Sequence, residues 1–179
     1  MSAEGVLTAL AREVPDALNQ ALVSADAHRE VLIDPLLEAL ERGLADPENA
    51  SKEDASLFSY ALYLLAQWRE PRAYPQVIRW LSLPDEEPFD IAGDIVTEDG
   101  GRILAGVCDG NLEPIVSLIR NRHADEWGRA AGVSALTLLA AWAEIPRTQV
   151  IERLLWLIRE SRTTPECGMG QSCMRERGY

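Results

Sequence analysis

Lysine is almost missing from this chain: of 17 basic residues only Lys52 is Lys, and the rest are Arg. Arg suits bidentate pairing with carboxylates, but a GC-rich coding sequence gives the same bias and is the simpler source. Positive charge as a whole is short, and the formal net charge is −12. Nucleic-acid binding draws on clustered Lys and Arg to neutralise phosphates, and anionic membrane surfaces attract the same residues. Neither nucleic acid nor membrane is therefore an expected partner. Histidine is equally scarce. His28 sits among Asp26, Arg29 and Glu30, and His123 among Arg122, Asp125 and Glu126, settings typical of solvated surface. No H-E-x-x-H, G-x-S-x-G or phosphate-cradling glycine loop occurs. No catalytic residue, metal or cofactor is expected.

Three cysteines, an odd number, do not make a disulfide framework. Cys108 has no nearby His to activate it. Long apolar runs are lacking too: the longest, Val133 to Ala143, contains Ser134 and Thr137 and is too short to span a bilayer. Residues 1–5 show no positive stretch leading into an apolar one. The expectation is a reduced, cytoplasmic protein. Runs of alternating β-branched residues bounded by hairpin turns are absent as well, so no strand is expected.

What is present is helical periodicity with a long echo. Tyr74-Pro75-Gln76-Val77-Ile78-Arg79-Trp80-Leu81 returns as residues 112–119 and again as residues 150–157, so Tyr74, Leu112 and Val150 are spaced by 38. A period of this length built from paired helices is the signature of an α-solenoid, in which no unit buries its apolar stripe alone. Upstream, Pro15-Asp16 opens a helix and Asp34-Pro35 reads as a second N-terminus. Ser51 with Asp54 makes a capping-box-like start, and Glu70-Pro71 stops that helix. Further helices are expected over Ala73–Leu83, Phe89–Ile95, Glu98–Cys108, Leu112–Arg122, Glu126 to about Ala143 and Thr148–Glu160. The expected class is all-α: a HEAT-like superhelix of stacked antiparallel helix pairs, eight or nine helices over residues 1–160, with an irregular tail at 161–179.

The stretch Trp127-Gly128-Arg129-Ala130-Ala131-Gly132-Val133-Ser134-Ala135-Leu136 resembles the first helix of a HEAT repeat, with an Arg followed by small residues and an A-x-x-A-L pattern. Three further stretches, residues 59–75, 97–105 and 107–115, resemble a bacterial family known as domain of unknown function 1186, a likeness that covers roughly residues 5–160. The resemblance implies a fold and no reaction. Some members of that family carry a C-terminal zinc-binding SEC-C motif. Here Cys167 and Cys173 stand as C-x5-C with no His after His123, short of the four ligands a structural zinc takes.

Residues 85–99 interrupt the echo with seven acids, Asp85, Glu86, Glu87, Asp90, Asp94, Glu98 and Asp99. Their spacing is not that of an EF-hand, and carboxylates at helix starts are favoured by the helix dipole without a cation. Arg69, Glu70, Arg72, Asp94, Glu98, Asp99 and Arg102 fall at turns or helix starts along one edge of the repeat. They suit either a ladder of ion pairs between repeats or a clamp for an anionic or peptide ligand. Among five tryptophans, Trp80 and Trp156 fall near equivalent repeat positions and read as packing between repeats. Trp68 and Trp127, at a helix end and a helix start, are candidates for a binding surface. The expected role is a non-enzymatic module that binds a protein or peptide. The alternative is a small-ligand binder or enzyme using the cluster at residues 69–102. Self-association stays open, because an uncapped terminal repeat can pair with its copy.

Overall fold

A computed structural model describes residues 1–163. Among them the fold is all-α, with eleven helices and no strand. They are α1 (Ala3–Arg12), α2 (Pro15–Ala27), α3 (Arg29–Ala45), α4 (Lys52–Gln67), α5 (Tyr74–Leu81), α6 (Glu87–Ala92), α7 (Ile95–Glu98), α8 (Gly100–Val107), α9 (Glu113–Arg120), α10 (Glu126–Ala141) and α11 (Arg147–Thr163). The expected count was lower because α1 had no sequence signal strong enough to claim and the 89–108 region divides into three short helices. Helix α11 continues to Thr163, three residues past the expected end of the repeat. Cys167, Cys173 and the rest of the tail lie outside the described residues.

Local chemistry sets the helix starts. Ser51 Oγ accepts from the Asp54 N–H at 3.1 Å, the N-cap half of the expected capping box, and donates to the Asp54 carboxylate at 2.6 Å. Asp125 accepts from the N–H groups of Trp127 and Gly128 at 2.8 and 3.2 Å and so starts α10. The ends are set by a shared device. At the end of α4 the Glu70 N–H reaches the Leu65 carbonyl and the Arg69 N–H reaches Ala66. At the end of α10, Glu144 reaches Leu139 and Ala143 reaches Ala140 in the same pattern. These are Schellman caps, with Arg69 (φ 54°) and Ala143 (φ 59°) in the left-handed position that glycine usually fills.

One expectation is corrected here. Asp34-Pro35 does not open a helix: α3 begins at Arg29 and carries Pro35 inside it. The carbonyl that Pro35 leaves without a donor belongs to Val31, whose residue is 64% exposed, so water can serve it. Asp34 instead accepts from Arg72 Nη1 at 2.9 Å.

Helices α1, α4, α8 and α10 pack side by side in that order, α3, α5 and α9 pack against α4, α8 and α10 respectively, and α5 also touches α3 and α9. Between them lies the core, with Phe58, Leu62, Trp80, Leu104, Ile115 and Leu136 all essentially inaccessible. Phe58 meets Trp80 edge to face at 6.2 Å, and the Trp80 indole N–H donates to the Pro88 carbonyl at 3.1 Å.

Helix α8 is unusual within this set. Seven of its eight residues are buried and only Arg102 is exposed. It fits between its neighbours because Gly101 and Gly106 have no side chain. A Cβ on Gly106 would lie 2.8 Å from the Ala66 carbonyl oxygen of α4, and one on Gly101 would lie 2.5 Å from the Ser134 Cβ of α10.

Candidate functional site

The packing of α8 below two sixteen-residue walls, α4 and α10, leaves a groove along one edge. It consists of two clefts that meet at Arg102. One, of about 370 Å³, is lined by Tyr63, Ala66, Gln67 and Arg69 from the α4 side, Asp99, Arg102, Ile103 and Gly106 below, and Trp142 opposite. The other, of about 320 Å³, runs between Val96, Thr97, Glu98, Gly101 and Arg102 and the α10 residues Trp127, Ala130, Ala131, Ser134 and Leu138. The α10 contribution follows helical spacing. Trp127, Ala130, Ala131, Ser134, Leu138 and Trp142 fall on one face, with an indole at each end of the stripe. At 1.5 Å per residue the two indoles stand roughly 22 Å apart along the axis. Trp127 is 49% exposed and Trp142 38%.

Polar contacts hold the groove's rim. Tyr63 Oη donates to Asp99 Oδ2 at 2.9 Å. Burial, together with the Asp99 carboxylate, pushes the Tyr63 phenol up to about 12. Arg69 Nη1 pairs with Glu144, and its guanidinium lies over the Trp142 ring at 5.2 Å. Arg102 is the least engaged: its Nε is 3.9 Å from Asp99 Oδ1, beyond hydrogen-bond distance, and its side chain is 73% exposed.

Five of the nine residues expected from the sequence meet here: Arg69, Glu98, Asp99, Arg102 and Trp127. The others lie elsewhere. Trp68 is only 6% exposed, and its indole N–H donates to Asp26 of α2 at 2.7 Å. Glu70 is 7% exposed and accepts from Arg72 through the backbone N–H at 3.2 Å and Nε at 2.9 Å. These bonds hold its carboxyl below the usual range, and Arg72 goes on to Asp34. Asp94 is exposed but lines neither cleft. Among the described residues no three acids, histidines or cysteines converge as a metal site.

Two tryptophan expectations are corrected. Trp68 is buried and not at a surface, and Trp156 is 42% exposed with Arg120 stacked on it at 4.9 Å. Trp142 rims the groove. Trp68 and Trp142 end equivalent helices, yet α2 covers the first and nothing among the described residues covers the second to the same degree. Tyr63, Gln67, Ser134 and Leu138 were not anticipated. The signal for the α10 members was present in their shared spacing with Trp127.

Away from the groove, burial pushes the Cys108 thiol up, and its neighbour Tyr74 is raised for the same reason. Tyr74 Oη donates to the Asn111 carbonyl at 2.8 Å, tying the start of α5 to the turn before α9. A thiol held protonated in this way is structural in character.

The likeness noted in residues 59–115 belongs to a longer match. A family model described as "Protein of unknown function (DUF1186)" matches residues 3–164. The chain belongs to the DUF1186 family. Two relatives carry part of the same sequence. An uncharacterised protein of Chlamydia trachomatis serovar D is 44% identical over 92 residues, and one of Chlamydia muridarum is 42% identical over 92 residues. Each match covers 51% of this chain and 36% of the relative, so it spans about a third of the length of those proteins. No solved structure matches the DUF1186 chain. No helix among the described residues is long and apolar enough to cross a membrane.

Proposed function

We propose that this DUF1186 chain is a non-enzymatic interaction module, a HEAT-like stack of helix pairs whose α4–α8–α10 groove receives an extended stretch of a protein or peptide. The observation that carries this reading is the pair of clefts that share Arg102 in their linings, one holding exposed Trp127 and the other exposed Trp142. Exposed indoles concentrate binding energy in small areas. A length of roughly 22 Å suits six or seven extended residues at about 3.3 Å each. Chemistry on a substrate calls for a closed pocket with a group tuned toward neutrality. The Tyr63 phenol in the groove is moved away from neutrality.

A photo-crosslinking amino acid in place of Ser134, inside the groove, and in place of Glu38, on the exposed side of α3, tests this in the native host. The reading expects a polypeptide adduct at position 134 that is lost with Trp127→Ala, and none at position 38. Equal labelling at both positions, or stabilisation of the purified chain by a small metabolite in an Arg102-dependent way, overturns it.

A further inference from the structure

Arg102 stands at the point where the two clefts join, and it is the one exposed residue of a helix otherwise buried. A charged residue in that position is not required by packing, because its side chain is 73% exposed. Its ion pair is loose and leaves its hydrogen-bond donors unused. Asp99, its nearest carboxylate, already accepts from Tyr63 at 2.9 Å, while Arg102 Nε remains 3.9 Å away. Arg69, on the same cleft, is held differently: Glu144 takes its Nη1, and Trp142 lies under its plane. One guanidinium is thus fixed as part of the wall, and the other presents its donor fork without a hydrogen bond among the described residues. That fork matches a carboxylate in two parallel N–H···O bonds.

Resting on the groove reading above, we infer that the occupant is a peptide segment carrying an Asp or Glu side chain, whose carboxylate meets Arg102 while apolar neighbours lie against Trp127 and Trp142. The carboxylate belongs to an internal side chain, because Arg102 lines both clefts and a segment that occupies both has its backbone on either side of that residue. The surroundings restrict the rest of the segment. The exposed Glu98 lines the Trp127 cleft, and the chain as a whole carries −12, so further acids in the segment are repelled. The inferred recognition pattern is one carboxylate, flanked by apolar or basic residues.

The test is selection of random twelve-residue peptides displayed on phage against the purified full chain, with Trp127→Ala and Trp142→Ala variants in parallel. Fluorescence anisotropy on the most enriched peptide follows. The expected result is an Asp or Glu at a fixed place among the enriched peptides. Arg102→Gln should weaken that peptide about tenfold or more. Changing the peptide's acid to its amide should weaken wild type by a similar factor and Arg102→Gln hardly at all. Arg102→Lys, which keeps charge but not the fork, should recover only part of the loss. Peptides that depend on Trp127 but carry no fixed acid and ignore Arg102→Gln overturn the carboxylate inference and leave the groove reading standing. Failure to enrich any peptide sensitive to Trp127→Ala or Trp142→Ala overturns both. Unchanged thermal unfolding of Arg102→Gln, expected for so exposed a side chain, assigns its effect to binding.

Discussion

The Arg69 guanidinium lies 5.2 Å from the centre of the Trp142 ring, so the residue that follows the C-cap of α4 reaches past the end of α8 to the C-cap residue of α10. The two helices are not neighbours, and α8 lies between them. Glu144, two residues beyond Trp142, pairs with the same Arg. The contact acts as a tie across the groove's end. A double-mutant cycle of Arg69→Ala and Trp142→Ala in chemical denaturation should return a coupling of about 0.5–1 kcal/mol, the range for a cation over an exposed ring. Purely additive losses would show that the stack does not hold the walls.

Gly128 offers a sharper case. Alanine normally improves a helix interior by about 1 kcal/mol over glycine. Here a Cβ would lie 2.2 Å from the Leu81 carbonyl oxygen, a backbone atom that cannot turn aside. Gly128→Ala is therefore expected to destabilise by about 1–3 kcal/mol. Gly5→Ala in α1, where the nearest atom is the flexible Met1 side chain at 3.0 Å, should be neutral or favourable. Urea unfolding of both variants checks the contrast, and a stable Gly128→Ala would mean that α5 and α10 are not so closely apposed.

Ala143 holds φ 59° in the Schellman cap of α10, a conformation that costs an L-residue about 1 kcal/mol and glycine almost nothing. Ala143→Gly should raise stability by about that amount, or about 2–4 °C in melting temperature for a chain of this size. The equivalent change Arg69→Gly relieves the same strain but removes the tie to Trp142, so its net gain should be smaller. Calorimetry of the pair separates the two contributions.

Alkaline titration reports on the Tyr63–Asp99 bond. The phenol is raised from 10.0 to about 12, first by burial and then by Asp99, so the fold favours its neutral form. The stability that follows is present below pH 10 and is lost as pH rises through about 12. Asp99→Asn should bring the Tyr63 transition to lower pH in a phenolate absorbance or NMR titration. An unmoved transition would leave burial as the whole cause.

The helix boundaries were most legible where one residue's own hydrogen bonds set them, as with Ser51, Asp125 and the stop at Glu70-Pro71. Pro35 misled because its tolerance inside α3 depends on exposure at Val31, a tertiary fact. Five expected groove residues came together because turn and helix-start positions were read as one edge. Tyr63 was missed because its partner Asp99 lies 36 residues away and nothing local marks the pair. Trp68 and Trp142 show the same limit from the other side. Their sequences are alike, W-R-E-P against W-A-E-I-P, and only the cover that α2 places on Trp68 makes one internal and the other external.

Helix α8, buried on every side but for Arg102, has no solvent-facing polar stripe and cannot persist apart from α4 and α10. Whatever spreads those walls also removes what keeps α8 folded. Its amide protons should accordingly exchange with solvent only when the whole α4–α8–α10 unit opens, as one cooperative block. The floor of the groove is then rigid by construction, and an incoming segment must fit a shape already made.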